Sequence, residues 1–345
     1  MSTDYQKREY LSASEVATYT GLPVRRIHAL ARSGEMEAFR SAGGQYRFRL
    51  RDIRAFRCVK PSKRTPKATQ TKPQATKINI NKTIQRVIAG DARNLHMLKN
   101  DSVHLAVTSP PYFNAKMYGA SVGDDLGDIH NLDSWLCEIG KAWAEVFRVL
   151  QPGRKFFLNI MNLPVRENKS FRTIDLAGKN IVLCESAGFI FRRYIVWHKT
   201  NGVRAHFGTY PHPGGILINN MHEFILEFAK PEKTPGKKYA HVNAEQREQS
   251  RLDREFWLSI KNSDVWLMKP EKSGSRREHS APFPLELPQR LIRAFSYVGE
   301  TVLDPFAGSG TTLAAAAIWK RNGIGVEINS DFCKMAENRI RGILT

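Results

Sequence analysis

Cysteine is scarce in this 345-residue chain: Cys58, Cys137, Cys184 and Cys333 are the whole supply, and no two stand at C-x-x-C spacing. That pattern excludes a zinc knuckle and a thioredoxin-type redox motif. Scattered single thiols suit a reducing, cytoplasmic setting. None follows a proline; the preceding residues are Arg57, Leu136, Leu183 and Phe332. No run of about 18 apolar residues occurs, so no membrane-spanning helix is expected. The polar start from Met1 to Arg8 lacks the apolar stretch of a signal peptide. Acid is short as well: 33 Asp and Glu face 53 Lys and Arg, a formal net charge of +20. Hydrophobic residues make up 41%, enough for a sizeable core, which excludes global disorder. The charge balance favours a polyanionic partner, nucleic acid first, with a merely basic soluble protein as the alternative.

What is present divides into three parts. Ser12-Ala13-Ser14-Glu15 reads as a capping box that opens a short helix. Gly21 breaks that helix, and Pro23 suits the start of a second one. There Val24, Ile27, Leu30 and Ala31 share one face and leave Arg25, Arg26 and Arg32 to solvent. Gly34 ends the second helix, a ribbon follows at Phe39-Arg40 and Tyr46-Arg47-Phe48-Arg49, and a last helix is expected at 51–57. Helix, tight turn, basic helix and basic ribbon make a winged helix-turn-helix. Tyr10-Leu11-Ser12, Ser33-Gly34-Glu35 and Gln45-Tyr46-Arg47-Phe48 resemble the DNA-binding module of the MerR and excisionase type. Residues 1–58 are therefore expected to be a DNA-binding domain that uses Arg25, Arg26, Arg47 and Arg49; a protein-docking domain is the alternative. Residues 59–77 carry six basic residues and no acid among Pro, Thr and Gln, the composition of a basic flexible linker.

From residue 78 onward strand and helix patterns alternate. Strands are expected at 103–108, 155–160, 190–197, 224–228, 301–303 and 323–328, and helices at 134–149, 177–187, 288–297 and 311–319. This is the pattern of a doubly wound α/β sheet. Residues of about 200–280, rich in Gly, Pro, His, Lys and Arg, are expected as an insertion that reads a target, with Lys199, Arg204 and Arg251 as candidate DNA contacts.

Two motifs carry the chemistry. The short strand Thr301-Val302-Leu303 ends in Asp304, followed by Pro305-Phe306-Ala307-Gly308-Ser309-Gly310 and a helix opening with Thr311-Thr312. Glycines at such a turn let the backbone approach a ligand, and the helix start offers free amides. The run lacks the third glycine of a dinucleotide fingerprint and the lysine of a P-loop. The next strand ends in Glu327, placed to accept from both hydroxyls of a ribose. The other motif, Ser109-Pro110-Pro111-Tyr112, closes the strand 103–108 at its carboxyl end. Its prolines fix the backbone and remove two donors. The Pro110 carbonyl and the Ser109 hydroxyl can then accept from an exocyclic amine. Tyr112 offers a ring for a stacked base, worth about 1–3 kcal/mol. Such an amine is out of reach within a duplex, so the base has to be flipped out. His222-Glu223 lacks the second histidine of a zinc helix, and no metal is expected.

With both motifs in this order, residues 78–345 resemble the beta class of S-adenosylmethionine-dependent DNA amino-methyltransferases. The resemblance implies a Rossmann-like methyltransferase sheet, S-adenosyl-L-methionine as cofactor and double-stranded DNA as substrate. It places Asp304 near the amino acid portion of the cofactor, with Phe306 and Gly308 lining it and the rest of the turn from Pro305 to Thr312 around it. It assigns His279, Pro282 and Phe283 to a segment over the methionine end, and Asp91 to the adenine amino group. In this family Ser-Pro-Pro-Tyr mostly accompanies N4-cytosine methylation and Asp-Pro-Pro-Tyr mostly N6-adenine methylation. N4-cytosine is thus the expectation and N6-adenine the alternative. C5 chemistry would need a cysteine nucleophile, usually one after proline. The rival from another class is an inactive methyltransferase-fold transcription regulator; an RNA amino-methyltransferase is a further one. A cognate restriction endonuclease as partner, a monomer or a homodimer, and a cytoplasmic, nucleoid-associated location all fit the family.

Overall fold

The computed structural model describes residues 10–20, 23–34, 36–41, 43–49, 52–53, 74–113, 126–167, 170–200, 212, 218–232, 234–236, 238–271 and 283–344. Arg204, His279 and Pro282, along with residues 59–73 of the expected linker, lie outside them.

In the N-terminal unit β1 (Tyr10–Ser12) leads into α1 (Ala13–Thr20), and α2 (Val24–Arg32) precedes β2 (Phe39–Arg40) and β3 (Tyr46–Arg49). The capping box forms: Ser12 Oγ accepts the Glu15 amide at 3.3 Å, and Glu15 Oε2 accepts the Ser12 amide at 2.8 Å. The three strands pair in the order β1-β3-β2, and Leu11, Val16, Ile27, Leu30, Met36, Phe48 and Ile53 close a small core. Val24, expected on the buried face, is exposed, because it is the first residue after the Pro23 cap and overhangs the core. Arg25 and Arg26 face solvent, whereas Arg47 and Arg49 are half-buried on the central strand β3.

The larger unit is built on one nine-stranded sheet. Its strands are β4 (Ala75–Ile80), β5 (Thr83–Ala89), β6 (Val103–Thr108), β7 (Leu150–Ile160), β10 (Ile190–Lys199), β11 (His222–Ala229), β12 (Val265–Met268), β13 (Thr301–Asp304) and β14 (Asn322–Glu327); β8 (Leu163–Glu167) and β9 (Ser170–Ile174) form a separate hairpin. The order is β12-β10-β11-β7-β6-β13-β14-β5-β4. The five strands from β7 to β5 run parallel, and β11 and β4 lie antiparallel on either side of them.

Each central strand is apolar on both faces, as a sheet covered twice must be. Phe156 and Leu158 of β7, Leu303 of β13 and Val326 of β14 pack beneath α3 (Leu132–Val149) and α4 (Leu176–Ala187), where Trp135 and Trp143 are fully buried. The alternate residues Leu105, Val107, Phe157 and Val302 face α7 (Glu286–Phe295) and α8 (Thr311–Ile318). The last long helix, α9 (Ser330–Arg341), covers Ile78, Ile80 and Val87 at the β4 edge. The shorter α5 (Ala244–Gln249) and α6 (Arg254–Lys261) lie between β11 and β12. Among the described residues no helix is long and apolar enough to cross a membrane.

Two expected boundaries shift. Residues 75–77, expected in the linker, are the first residues of β4; Ala75 pairs with Ile88 and Lys77 with Arg86. The β4–β5 hairpin is set by Asn81 and Lys82, both at positive φ (50° and 62°), the twist that a two-residue turn needs. The stretch 200–280 is not a continuous insertion, because it contributes β11 and β12 to the central sheet.

Candidate active site

Parallel β13 and β6 are neighbours, with Val302 opposite Leu105 and Leu303 opposite Ala106. Asp304 and Thr108 therefore end side by side, and Thr108 Oγ1 donates to Asp304 Oδ1 at 2.6 Å. From here the chain after β13 enters α8 on one face, while the chain after β6 returns through α3 on the other. This is the point in an open α/β sheet where a crevice forms outside the strand ends. The Ser109 turn and the Gly308 turn, almost two hundred residues apart in sequence, border that crevice together.

On the glycine side Asp304 is the hub. It accepts from Thr108, from Thr312 Oγ1 at 2.6 Å and from the Phe306 amide at 3.1 Å. Burial pushes its carboxyl up to about 6, against the pull of these bonds. Glu327 Oε2 accepts the Gly308 amide at 2.9 Å, and its Oε1 accepts the Asn329 amide at 2.8 Å, so the backbone anchors the carboxylate through both oxygens. Gly310 has φ +81°, and a Cβ there would lie 2.7 Å from the Cβ of Ala336, so only glycine lets α9 close against the turn. Pro305, Ala307, Ser309, Thr311 and Thr312 are buried around this hub, and the half-buried Phe306 sets its ring against Trp143. The Gly90 amide bonds the Glu327 carbonyl at 2.9 Å, which carries Asp91 to the same rim. There Asp91 pairs with Arg93 at 2.7 Å, and Arg93 reaches on to Glu138. Phe283 is buried against Leu287 on the α7 side.

Three adjacent strands, β5, β14 and β13, thus each deliver an acid to one rim in a chain of net charge +20. A ligand that brings hydrogen-bond donors, such as a ribose diol and cationic groups, fits those carboxylate acceptors.

On the proline side Ser109 Oγ donates to Tyr112 Oη at 3.1 Å, and Tyr112 Oη donates to Glu223 Oε2 at 2.9 Å. Asn159 Nδ2 on β7 donates to Tyr112 Oη at 3.0 Å and to Glu223 Oε2 at 2.6 Å. Lys199 Nζ closes the set with an ion pair to Glu223 Oε1 at 2.6 Å. Neither Asn159 nor Glu223 stood out in the sequence as a site residue. The available signal was a polar residue at the end of an otherwise apolar strand. Lys199, expected to contact DNA, has its ammonium engaged inside this network. Arg251, expected likewise, follows Ser250, whose Oγ accepts the Val298 amide at 2.8 Å just ahead of β13. It is exposed, but at the end of the sheet away from the crevice.

The DNA methylase family model, covering N6 and N4 methyltransferases, matches residues 103–338, a stretch that holds both turns. The chain belongs to the N6/N4 DNA methylase family. It is a DNA amino-methyltransferase, and the family uses S-adenosylmethionine. A helix-turn-helix domain model matches residues 10–58 of this methylase. The type II methyltransferase M.MjaI of Methanocaldococcus jannaschii is 33% identical over 290 residues, covering 75% of this chain and 91% of the relative. A DNA modification methylase of Thermus thermophilus, solved in complex with S-adenosyl-L-methionine, is 36% identical with a TM-score of 0.60, covering 75% of this chain and 93% of that one. The cytosine-N4-specific PvuII DNA methyltransferase shares the fold at 18% identity and a TM-score of 0.53, covering 73% of this chain and 85% of that one.

The methylase has a second polar cluster at the opposite end of the sheet. The Thr301 amide donates to His104 Nδ1 at 3.1 Å, His241 Nε2 meets Glu300 Oε1 at 2.8 Å, and Arg154 donates to the same Glu300 oxygen. The lone pair of His104 is thus committed to the backbone, and Glu300 is already neutralised by the guanidinium. Burial, aided by Arg154, pushes His104 down to about 4. A histidine depressed in the folded state contributes stability that is complete above its unfolded value near 6.5. That contribution is lost as pH falls toward 4. The expected loss is at most ~3 kcal/mol, reduced by the water that reaches the half-buried ring. His104→Asn keeps an acceptor for the Thr301 amide and removes the titration. Urea melts from pH 7 to pH 4 should show the variant losing less stability than the parent; parallel curves would remove His104 from the account.

Proposed function

We propose that this methylase transfers a methyl group from S-adenosyl-L-methionine to the exocyclic N4 amine of a flipped cytosine in duplex DNA. The observation that carries the reading is the Thr108–Asp304 hydrogen bond, which brings the two turns to neighbouring strand ends. The cofactor supplies an electrophilic methyl on a sulfonium. Glu327 would hold its ribose diol, and Asp304, with the turn from Pro305 to Thr312, its amino acid portion. Asp91 would meet the adenine, and His279, Pro282 and Phe283 would lie over the methionine end. On the other side the Ser109 hydroxyl and the Pro110 carbonyl would accept from the target amine and orient its lone pair, while Tyr112 stacks on the base. The protein's work is positioning, which by itself supplies much of the rate of a two-reactant displacement.

Ser109 supports cytosine. A hydroxyl and a carbonyl can also accept from adenine N6, so N6-adenine is the second reading. Duplex DNA incubated with enzyme and cofactor, digested to nucleosides and weighed by mass spectrometry, decides between them. N4-methylcytosine bears the proposal out, N6-methyladenine moves it to the second reading, and no methylated base leaves a regulator on a methyltransferase fold.

Residues 1–58 would anchor the enzyme on DNA through a basic tether that ends where β4 begins, adding affinity by raising local concentration. Exposed Arg25 and Arg26 stand together in the first turn of α2, placed for phosphate contact. Replacing both by Ala should flatten the slope of log affinity against log salt by about 1.8, the loss of two phosphate contacts, and leave cofactor binding unchanged. An unchanged salt slope would remove α2 from the DNA interface.

A further inference from the structure

We infer that Glu223 is a positioning residue that fixes the direction of the Ser109 hydroxyl, so that Ser109 meets the target amine as an acceptor. The inference rests on the proposed function and adds to it a residue that touches neither substrate nor cofactor.

A carboxylate can only accept. Oε1 of Glu223 is held by Lys199 Nζ at 2.6 Å, and Oε2 faces Asn159 Nδ2 at 2.6 Å and Tyr112 Oη at 2.9 Å. Of the two acceptors in reach of the Tyr112 proton, Glu223 Oε2 at 2.9 Å is nearer and charged, and the Asn159 carbonyl lies at 3.4 Å, so the proton points at Glu223 and Tyr112 Oη accepts from Asn159 Nδ2 at 3.0 Å and from Ser109 Oγ at 3.1 Å. That in turn directs the Ser109 proton toward Tyr112, and the lone pairs of Ser109 stay available for an N–H donor. With the chain reversed, Ser109 would present its proton to the amine and draw on the lone pair needed for attack on the methyl carbon.

Two features support a role in setting polarity over one in stability. Asn159 gives both protons of its amide to the network, and its Oδ1 is left buried with no hydrogen-bond partner among the described residues. Turned over, the amide would relieve that oxygen but set it against the Glu223 carboxylate, so the charge dictates the orientation. A buried ion pair also adds little net stability, because desolvation offsets its attraction. The pair nevertheless lies directly behind the tyrosine of the Ser109 turn, with Glu223 and Tyr112 both less than one-tenth exposed.

The test uses the full-length enzyme, with kcat measured at saturating DNA and cofactor and the cofactor Kd measured separately. In Glu223→Gln the side-chain oxygen should stay with the Lys199 ammonium and turn the NH2 group toward Tyr112. That reverses the chain, with kcat expected to fall about tenfold and the cofactor Kd to change less than about twofold. Adding Lys199→Met frees the glutamine to turn its oxygen back to Tyr112, and the double variant should recover most of the lost kcat. A purely structural ion pair predicts no such recovery. Tyr112→Phe, which breaks the chain and keeps the Glu223–Lys199 ion pair, should also lose about tenfold. Parental kcat in Glu223→Gln or in Tyr112→Phe, or a double variant no better than Glu223→Gln, overturns the inference while methylation by the parent enzyme still stands. A parent enzyme that methylates no DNA amine takes the proposed function down together with it.

Discussion

Asp304→Ala is expected to weaken S-adenosylmethionine binding at least about a hundredfold and to leave DNA binding by the helix-turn-helix unit intact. The carboxylate accepts from β6 through Thr108, from α8 through Thr312 and from the turn through the Phe306 amide, so its removal strands three donors from three elements. The stranded donors let the turn relax, so the ligand has to re-form it, and the charge-assisted contact to the ligand is lost as well; about 3 kcal/mol from the two together already exceeds a hundredfold. Asp304→Asn keeps the volume and one acceptor and so separates the tether from the charge. The charge has its own signature. Burial holds the free carboxyl near 6, and a cationic ligand favours the ionised form, so affinity should fall as pH drops below about 6, approaching tenfold per unit. The stability of the unliganded protein follows the opposite sign. A carboxyl raised in the folded state leaves its contribution complete below the ordinary aspartate range and lost as pH rises through about 6. Calorimetric titration from pH 5 to pH 8 reads the binding slope. A flat profile in the parent enzyme, or an Asp304→Asn profile with the parent's slope, would take Asp304 out of contact with the cofactor's charge.

How much of this was legible in the chain depends on the distance over which each signal acts. Strand Val103–Thr108 and the stretch 155–160 of β7 declared themselves because a twice-covered strand is a continuous apolar run; the start of β7, Leu150-Gln151-Pro152-Gly153-Arg154, did not. The edge hairpin did not. β4 and β5 mix Thr, Lys, Asn, Gln and Arg with their apolar residues, and the buried Gln85 is tolerated only because its amide reaches Thr83 and the Arg321 carbonyl. β12 was missed as well; four residues with Val265 and Leu267 exposed carry too short a pattern to read. In α9 the buried Cys333, Ala336 and Ile340 are small or widely spaced on a polar surface. The two turns were each visible as local motifs. Their adjacency was not, because strand order is settled by which faces the helices cover, a global matter that no window of sequence contains. Lys199 shows the converse. It reads as a surface cation, and only the arrival of Glu223 from the neighbouring strand turns it inward.

Tyr112→Ala should separate turnover from cofactor binding most widely, with kcat down about a hundredfold or more and the cofactor Kd within about twofold of the parent. Two losses combine. Removing the ring forfeits the stacking surface for an extrahelical base, worth about 1–3 kcal/mol. Removing the hydroxyl leaves Glu223 Oε2 with one donor fewer and takes away the acceptor that holds the Ser109 proton. Cofactor binding should survive because the residues proposed to hold the cofactor hang from β13, β14 and β5, whereas Tyr112 leans on β7 and β11. Tyr112→Trp restores a ring without the hydroxyl and should regain the stacking share only, so that it falls between the parent and the alanine variant. Single-turnover transfer of labelled methyl into duplex DNA, paired with equilibrium titration of the cofactor, measures both quantities on one preparation. If the alanine variant loses cofactor affinity as steeply as it loses turnover, Tyr112 supports the fold of the crevice and does not hold the base.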